Sequence, residues 1–110
     1  MSSLSCDLID EGDNYVIQAE MPGIKKDEVK LNVFDNSLEI SAHHKEEEEE
    51  KKKNYLRKER SEISYYRALP MPDKVVPERA TAKLTDGILS ITIPKSTPSP
   101  RPKSSMIQVQ

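Results

Sequence analysis

The chain's two histidines, His43 and His44, are adjacent and are followed by an acidic run from Glu46 to Glu50. Imidazoles beside carboxylates are metal-ligand types. The spacing argues against a site: neighbours on a strand point to opposite faces and cannot easily share one ion. The acidic residues alone supply no fixed geometry, so no metal is expected. No nucleophile has a plausible base in its sequence context, and there is no Gly-rich phosphate loop. No catalytic residue is assigned, and neither an enzyme nor a cofactor is expected. Cys6, the lone cysteine, cannot form an internal disulfide and fits a reducing compartment.

The remaining chemistry is that of contact. Ile63, Tyr65, Arg67, Leu69 and Met71 recur at period two, with Ser64, Tyr66 and Ala68 opposite. Arg67 therefore sits on an apolar face and needs a carboxylate or carbonyl partner. Tyr55 and Leu56 are two apolar residues inside a strongly charged segment, and Arg57 follows them. If that segment projects from its own domain, the surface they pack on belongs to another subunit. At the chain's end, Ile107 and Val109 stand at i and i+2 and point the same way on a strand. They follow an extended stretch with Pro98, Pro100 and Pro102 and no acidic residue, a pattern that reads as a tethered docking peptide.

Stepping outward from these residues, β-strands must position them. Ala80, Ala82 and Leu84 alternate with Thr81, Lys83 and Thr85, and Leu89, Ile91 and Ile93 alternate with Ser90 and Thr92. Asp86-Gly87 between them predicts a hairpin whose turn needs positive φ at both residues. Tyr15, Ile17, Ala19 and Met21 predict a half-buried strand ended by Pro22-Gly23. After a connection with room for one helical turn, Val29, Leu31 and Val33 pair through Asp35-Asn36 with Leu38, Ile40 and Ala42. Cys6 to Ile9 predicts one more short strand. Pro70 and Pro72 stop the strand of Arg67. About seven short strands without a long helix predict an all-β, immunoglobulin-like antiparallel β-sandwich.

Composition agrees with one small domain. Of 110 residues 33% are charged and 35% hydrophobic, with a net charge of −2. No basic field argues for nucleic acid. No apolar run approaches the roughly 20 residues of a membrane span, and no export signal is visible, so a cytoplasmic protein is expected. The expected organisation is a short disordered segment at 1–5, the sandwich at 6–94 with a charged excursion at 43–60, and a tail at 95–110.

Taken together, these residues resemble the small heat-shock proteins, the α-crystallin-domain family, of the prokaryotic and plant type. Ala82, Asp86, Gly87, Ile88 and Leu89 stand as in the family's Ala-x-x-x-Asn/Asp-Gly-Val/Ile-Leu signature. Met21-Pro22-Gly23 stands in place of its Leu-Pro-Gly, and Asn54 to Arg60 in place of its dimer-swapping strand. Arg67 precedes a Met71-Pro72 that takes the Leu-Pro place, and Ile107-Gln108-Val109 matches the C-terminal Ile-x-Ile/Val anchor. The agreement covers roughly residues 6–110. Two features depart: Pro70 replaces a ladder donor, and the region before the first strand is very short.

The resemblance implies ATP-independent holding of partly unfolded client proteins by a dimer-based oligomer. It places a groove for tail or client between Val29, Leu31 and Val33 and Ala80, Ala82 and Leu84. It puts Tyr55, Leu56, Arg57 and Arg67 at a strand-exchange dimer interface, and has Ile107 and Val109 anchor in a neighbouring dimer's groove. A tail of about a dozen residues spans up to ~40 Å when extended. A monomeric β-sandwich adaptor of the co-chaperone kind is the alternative, although it has no use for the tail anchor or the excursion.

Overall fold

Asp86 and Gly87 have φ of 51° and 77°, the paired positive values that a type I′ turn requires. They join β7 (Thr81–Thr85) to β8 (Ile88–Pro94), with Leu84 opposite Leu89 and Ala82 opposite Ile91. The computed structural model describes residues 2–46, 61–98 and 105–110. The other described strands are β1 (Ser2–Ser3), β2 (Cys6–Asp10), β3 (Asn14–Glu20), β4 (Val29–Val33), β5 (Ser37–Glu46) and β6 (Ser61–Pro70).

These strands form two four-stranded sheets, ordered β1-β6-β5-β4 and β2-β3-β8-β7. Every pairing is antiparallel except β1 with β6. The expected all-β sandwich is thus present. Its strands are eight among the described residues, against about seven read from the sequence.

The inward faces are those the alternation predicts. Tyr15, Ile17, Ala19 and Met21 from the β3 side meet Leu89, Ile91 and Ile93 of β8 and Leu38, Ile40 and Ala42 of β5. Ile17, Ile40 and Ile93 have no exposed surface, and each such side chain stabilises the fold by about 1.5–3 kcal/mol. Val16, out of phase, is half-buried on the other face. A single 3-10 turn, Lys26–Glu28, fills the connection before β4, and another at Pro77–Arg79 interrupts the loop before β7.

Met21-Pro22-Gly23 packs on the Asp86-Gly87 turn. Met21 N donates to Gly87 O at 2.6 Å, and a Cβ on Gly87 would lie 3.5 Å from Pro22 Cα. The two turns therefore support each other at one end of the sandwich.

Three expectations are corrected. The segment expected to fray at 1–5 is not frayed over residues 2–4: Ser2 and Ser3 pair with Tyr65 and Tyr66, and Leu4 is 2% exposed. The excursion does not begin at residue 43, because β5 continues through Glu46. There Lys45 stands opposite Glu62 and His43 opposite Ser64, so a charged stretch keeps its ladder by cross-strand complementarity. The tail does not begin at residue 95 either. Lys95 N donates to Asp13 O, Ser96 N donates to Lys74 O, and Lys95 is 3% exposed.

Candidate functional site

β4 is the edge of one sheet and β7 the edge of the other. Between them opens a groove of about 440 Å³ lined by Lys26, Val29, Leu31, Ala82, Lys83, Leu84 and Leu89. Both edges alternate, so each turns one row of side chains toward the gap between the sheets. The floor is aliphatic, and two lysines stand among the lining residues. Of the six residues expected here, Val29, Leu31, Ala82 and Leu84 line the groove. Val33 and Ala80 are half-buried and pack against the core outside it.

Below the groove, the Lys26–Glu28 turn is pinned from two sides. Glu28 Oε1 accepts Lys25 N–H at 2.9 Å, and Glu28 Oε2 lies 2.6 Å from His44 Nδ1. The Lys25 N–H, and after it the imidazole, holds the Glu28 carboxyl below its usual range. His43 turns the other way, with Nδ1 2.7 Å from Ser64 Oγ and Nε2 3.5 Å from Glu62 Oε1. The adjacent imidazoles thus serve different faces of β5.

Ile107 and Val109, the expected anchor, are 85% and 94% exposed and lie in no groove of their own chain. Arg67 is half-buried opposite Ile40 and has a carbonyl partner: Nη1 donates to Leu4 O at 3.2 Å. Tyr55, Leu56 and Arg57 lie outside the described residues. β2, the edge opposite β7, carries Leu8 and Ile9 at 41% and 37% exposure.

Sequence reasoning missed a buried polar cluster where the tail leaves the sandwich. Lys95 Nζ lies 2.7 Å from Asp10 Oδ1 and 4.7 Å from the centroid of the Tyr15 ring. Tyr15 OH donates to Asp73 Oδ2 at 2.8 Å. Burial, reinforced by Asp73, pushes the Tyr15 phenol up to about 12. The only signal in the sequence was an isolated lysine directly after an alternating strand. Cys6 is half-buried; burial raises its thiol, with Arg67 acting in the opposite direction.

Chemically, an aliphatic slot between two strand edges suits an extended segment with alternate apolar side chains. Among the described residues no helix is long and apolar enough to cross a membrane.

The pattern of the Hsp20/alpha crystallin family matches residues 7–110. The chain is 40% identical over 96 residues to the 18.1 kDa class I heat shock protein of Oryza sativa, which covers 86% of the chain and 59% of that relative. It is 34% identical to the 17.7 kDa class II heat shock protein of Arabidopsis thaliana, over 100% of the chain and 72% of the relative. The chain spans about three-fifths of the length of the rice relatives it matches. Its fold is similar to that of heat shock protein 16.0 from Schizosaccharomyces pombe, with a TM-score of 0.77 and 29% identity, covering 98% of this chain and 100% of that one.

Proposed function

This chain belongs to the Hsp20/alpha crystallin family, and from that premise we propose that it is an ATP-independent holdase, binding partly unfolded proteins and preventing their aggregation. Unfolding proteins expose apolar surface and unpaired strand edges. The groove between β4 and β7 offers an aliphatic surface between two edges, and a chain that is one-third charged keeps the complex in solution. The working form is a dimer-based oligomer in a reducing, cytoplasmic setting. The arm with Tyr55, Leu56 and Arg57 adds to the open β2 edge of a second copy, with Arg67 near the contact. Ile107 and Val109 seat in the groove of a neighbouring dimer.

One observation carries this reading. The chain carries an aliphatic groove lined by Val29, Leu31, Ala82 and Leu84 and an exposed aliphatic pair at Ile107 and Val109, which supports their being two halves of one contact. A groove that accepts the tail can accept a client once the tail leaves. The test is light scattering of heated citrate synthase without nucleotide. Equimolar protein is expected to suppress the scattering, and unhindered aggregation would overturn the reading. Sedimentation of the purified protein separates an oligomer from a monomeric adaptor.

A further inference from the structure

The sandwich has a second flank, where β1 and β2 are the edges. Unlike β4 and β7, these edges are consecutive in the chain, joined by Leu4 and Ser5. This flank is already filled. Leu4 is buried among the core residues between the sheets, and its carbonyl accepts Arg67 Nη1 at 3.2 Å and lies 3.8 Å from the Cys6 thiol. Just before it, Ser2 and Ser3 add a two-residue strand to the outer edge of β6, opposite Tyr65 and Tyr66.

This short strand is weakly built. It is parallel, the less favourable ladder, and only two residues long. Besides that short ladder, the buried Leu4 side chain and its carbonyl anchor it. Beside Leu4 opens a cavity of about 520 Å³, lined also by Ala19, Pro22, Tyr65 and Ile88 and including Asp7 and Glu20. The space can therefore take a side chain larger than leucine.

We propose that residues 2–4 are a displaceable latch lying in a second peptide-binding slot. When the latch peels away, the edge of β6 and the Leu4 pocket receive an extended segment of an unfolding protein. The latch itself shows what the slot accepts: small residues along β6, then an aliphatic or aromatic side chain between the sheets, its backbone carbonyl facing Arg67. Asp7 and Glu20 at the mouth favour segments with basic flanking residues. The identity of the occupant rests on the holding function proposed above; the existence of the slot does not.

The test uses the full chain carrying Ser3→Cys and Tyr66→Cys in a Cys6→Ser background. Residues 3 and 66 are register partners, at a spacing a disulfide can bridge. Oxidation closes the latch and reduction frees it. The probe is a fluorescein-labelled peptide of residues 1–5, followed by anisotropy. Reduced protein is expected to bind it at least tenfold more tightly than oxidised protein, and the same peptide carrying Leu4→Asp is expected to bind neither. Equal affinity in both states, or no binding to reduced protein, overturns the latch.

Citrate synthase aggregation is then measured with the same two states. Weaker protection by the oxidised form, restored by reductant, supports the slot as a client site. Equal protection by both overturns it as a client site. Protection by neither state overturns the holding function instead, and the anisotropy result still decides the latch. If the double-cysteine protein does not fold, Leu4→Ser in the natural chain replaces it, with the peptide expected to bind that variant at least tenfold more tightly than the unaltered protein; equal binding overturns the latch.

Discussion

Lys95 and Asp10 meet where the chain leaves the sandwich: Nζ lies 2.7 Å from Oδ1, with the lysine side chain 1% exposed and the aspartate 36%. The ammonium also lies over the Tyr15 ring, whose hydroxyl is held by Asp73. One small cluster thus ties together the β2–β3 turn, the loop after β6 and the root of the tail. The chain is consequently held to the sandwich at Lys95 and Ser96.

Removing the aspartate tests that tie. Asp10→Ala leaves the ammonium buried without this carboxylate, a change that typically costs 3–5 kcal/mol in a buried pair. Because Asp10 is itself partly open to water, we expect about 3 kcal/mol. Lys95→Met, which keeps most of the stem volume and leaves a partly hydrated carboxylate, should cost less. Urea unfolding of the two variants gives the comparison, and a larger loss for Lys95→Met would remove the pair from its structural role.

Tyr15 makes the same cluster visible to pH. Its phenol moves from an ordinary value of 10.0 to about 12, chiefly by burial and then by the Asp73 bond. Between those values the unfolded chain has released a proton that the folded chain still holds. Its stabilising contribution is therefore complete below pH ~10 and lost as pH rises toward 12, by at most about 1.4 kcal/mol per pH unit. Tyrosinate absorbance should show a step near pH 12 from Tyr15. Tyr15→Phe should abolish that late step and flatten the alkaline loss of stability. A late step that persists in Tyr15→Phe would assign it elsewhere.

Much of this fold is legible as alternation. The faces of β3 and β8 follow from Tyr15 to Met21 and from Leu89 to Ile93, because a half-buried strand has only one way to place such a series. Asp86-Gly87 specifies its turn by backbone sterics alone. Arg67 on an apolar face demanded a partner, and a carbonyl is what it has. Leu4 was not legible, since a single leucine among serines has no period. His43 to Glu46 read as solvated loop because charge suggests exposure, whereas a ladder needs only backbone and complementary neighbours. Lys95 read as tail for the same reason: burial of a lysine depends on Asp10 and Tyr15, which only the fold brings near. The family resemblance, not phase, named the groove residues; Val29, Leu31, Ala82 and Leu84 line the gap between β4 and β7, whereas Val33 and Ala80 lie outside it, because alternation does not say where along an edge the gap closes.

Gly87 gives the cleanest backbone test. At φ 77° it occupies the left-handed region, and an added Cβ would find only ordinary contact with Pro22 at 3.5 Å. Gly87→Ala should therefore cost about 1–2 kcal/mol from backbone strain, without a steric clash. Gly87→Asn, which tolerates that region better, should recover part of the loss. Thermal unfolding of both variants is the measurement, and equal destabilisation by alanine and asparagine would point to crowding instead.

Arg67→Gly removes the donor to the Leu4 carbonyl and places a glycine inside β6. If Arg67 also lies near the dimer contact, as proposed, the dimer dissociation constant should rise at least tenfold by sedimentation at micromolar protein. Arg67→Lys separates the roles: a single ammonium can reach a carbonyl but cannot reproduce a planar guanidinium contact. A dimer unaltered by Arg67→Gly would confine this arginine to holding Leu4.

The tail pair is tested by a change that leaves the sandwich untouched. Ile107 and Val109 are 85% and 94% exposed, so replacing them with serine removes nothing from the folded core, and thermal unfolding of the isolated domain should not shift. If they seat in the β4–β7 groove of a neighbouring dimer, the Ile107→Ser/Val109→Ser protein should fall from larger assemblies to dimers. Leu84→Asp, at the opposite side of the same contact, should give the same result, because burying a carboxylate against two aliphatic side chains is strongly unfavourable. Mixing the tail variant with the groove variant should restore assemblies larger than dimers, since the first keeps intact grooves and the second intact tails, and each dimer offers two of the half it keeps. Unchanged sedimentation of the tail variant would place the assembly contacts elsewhere.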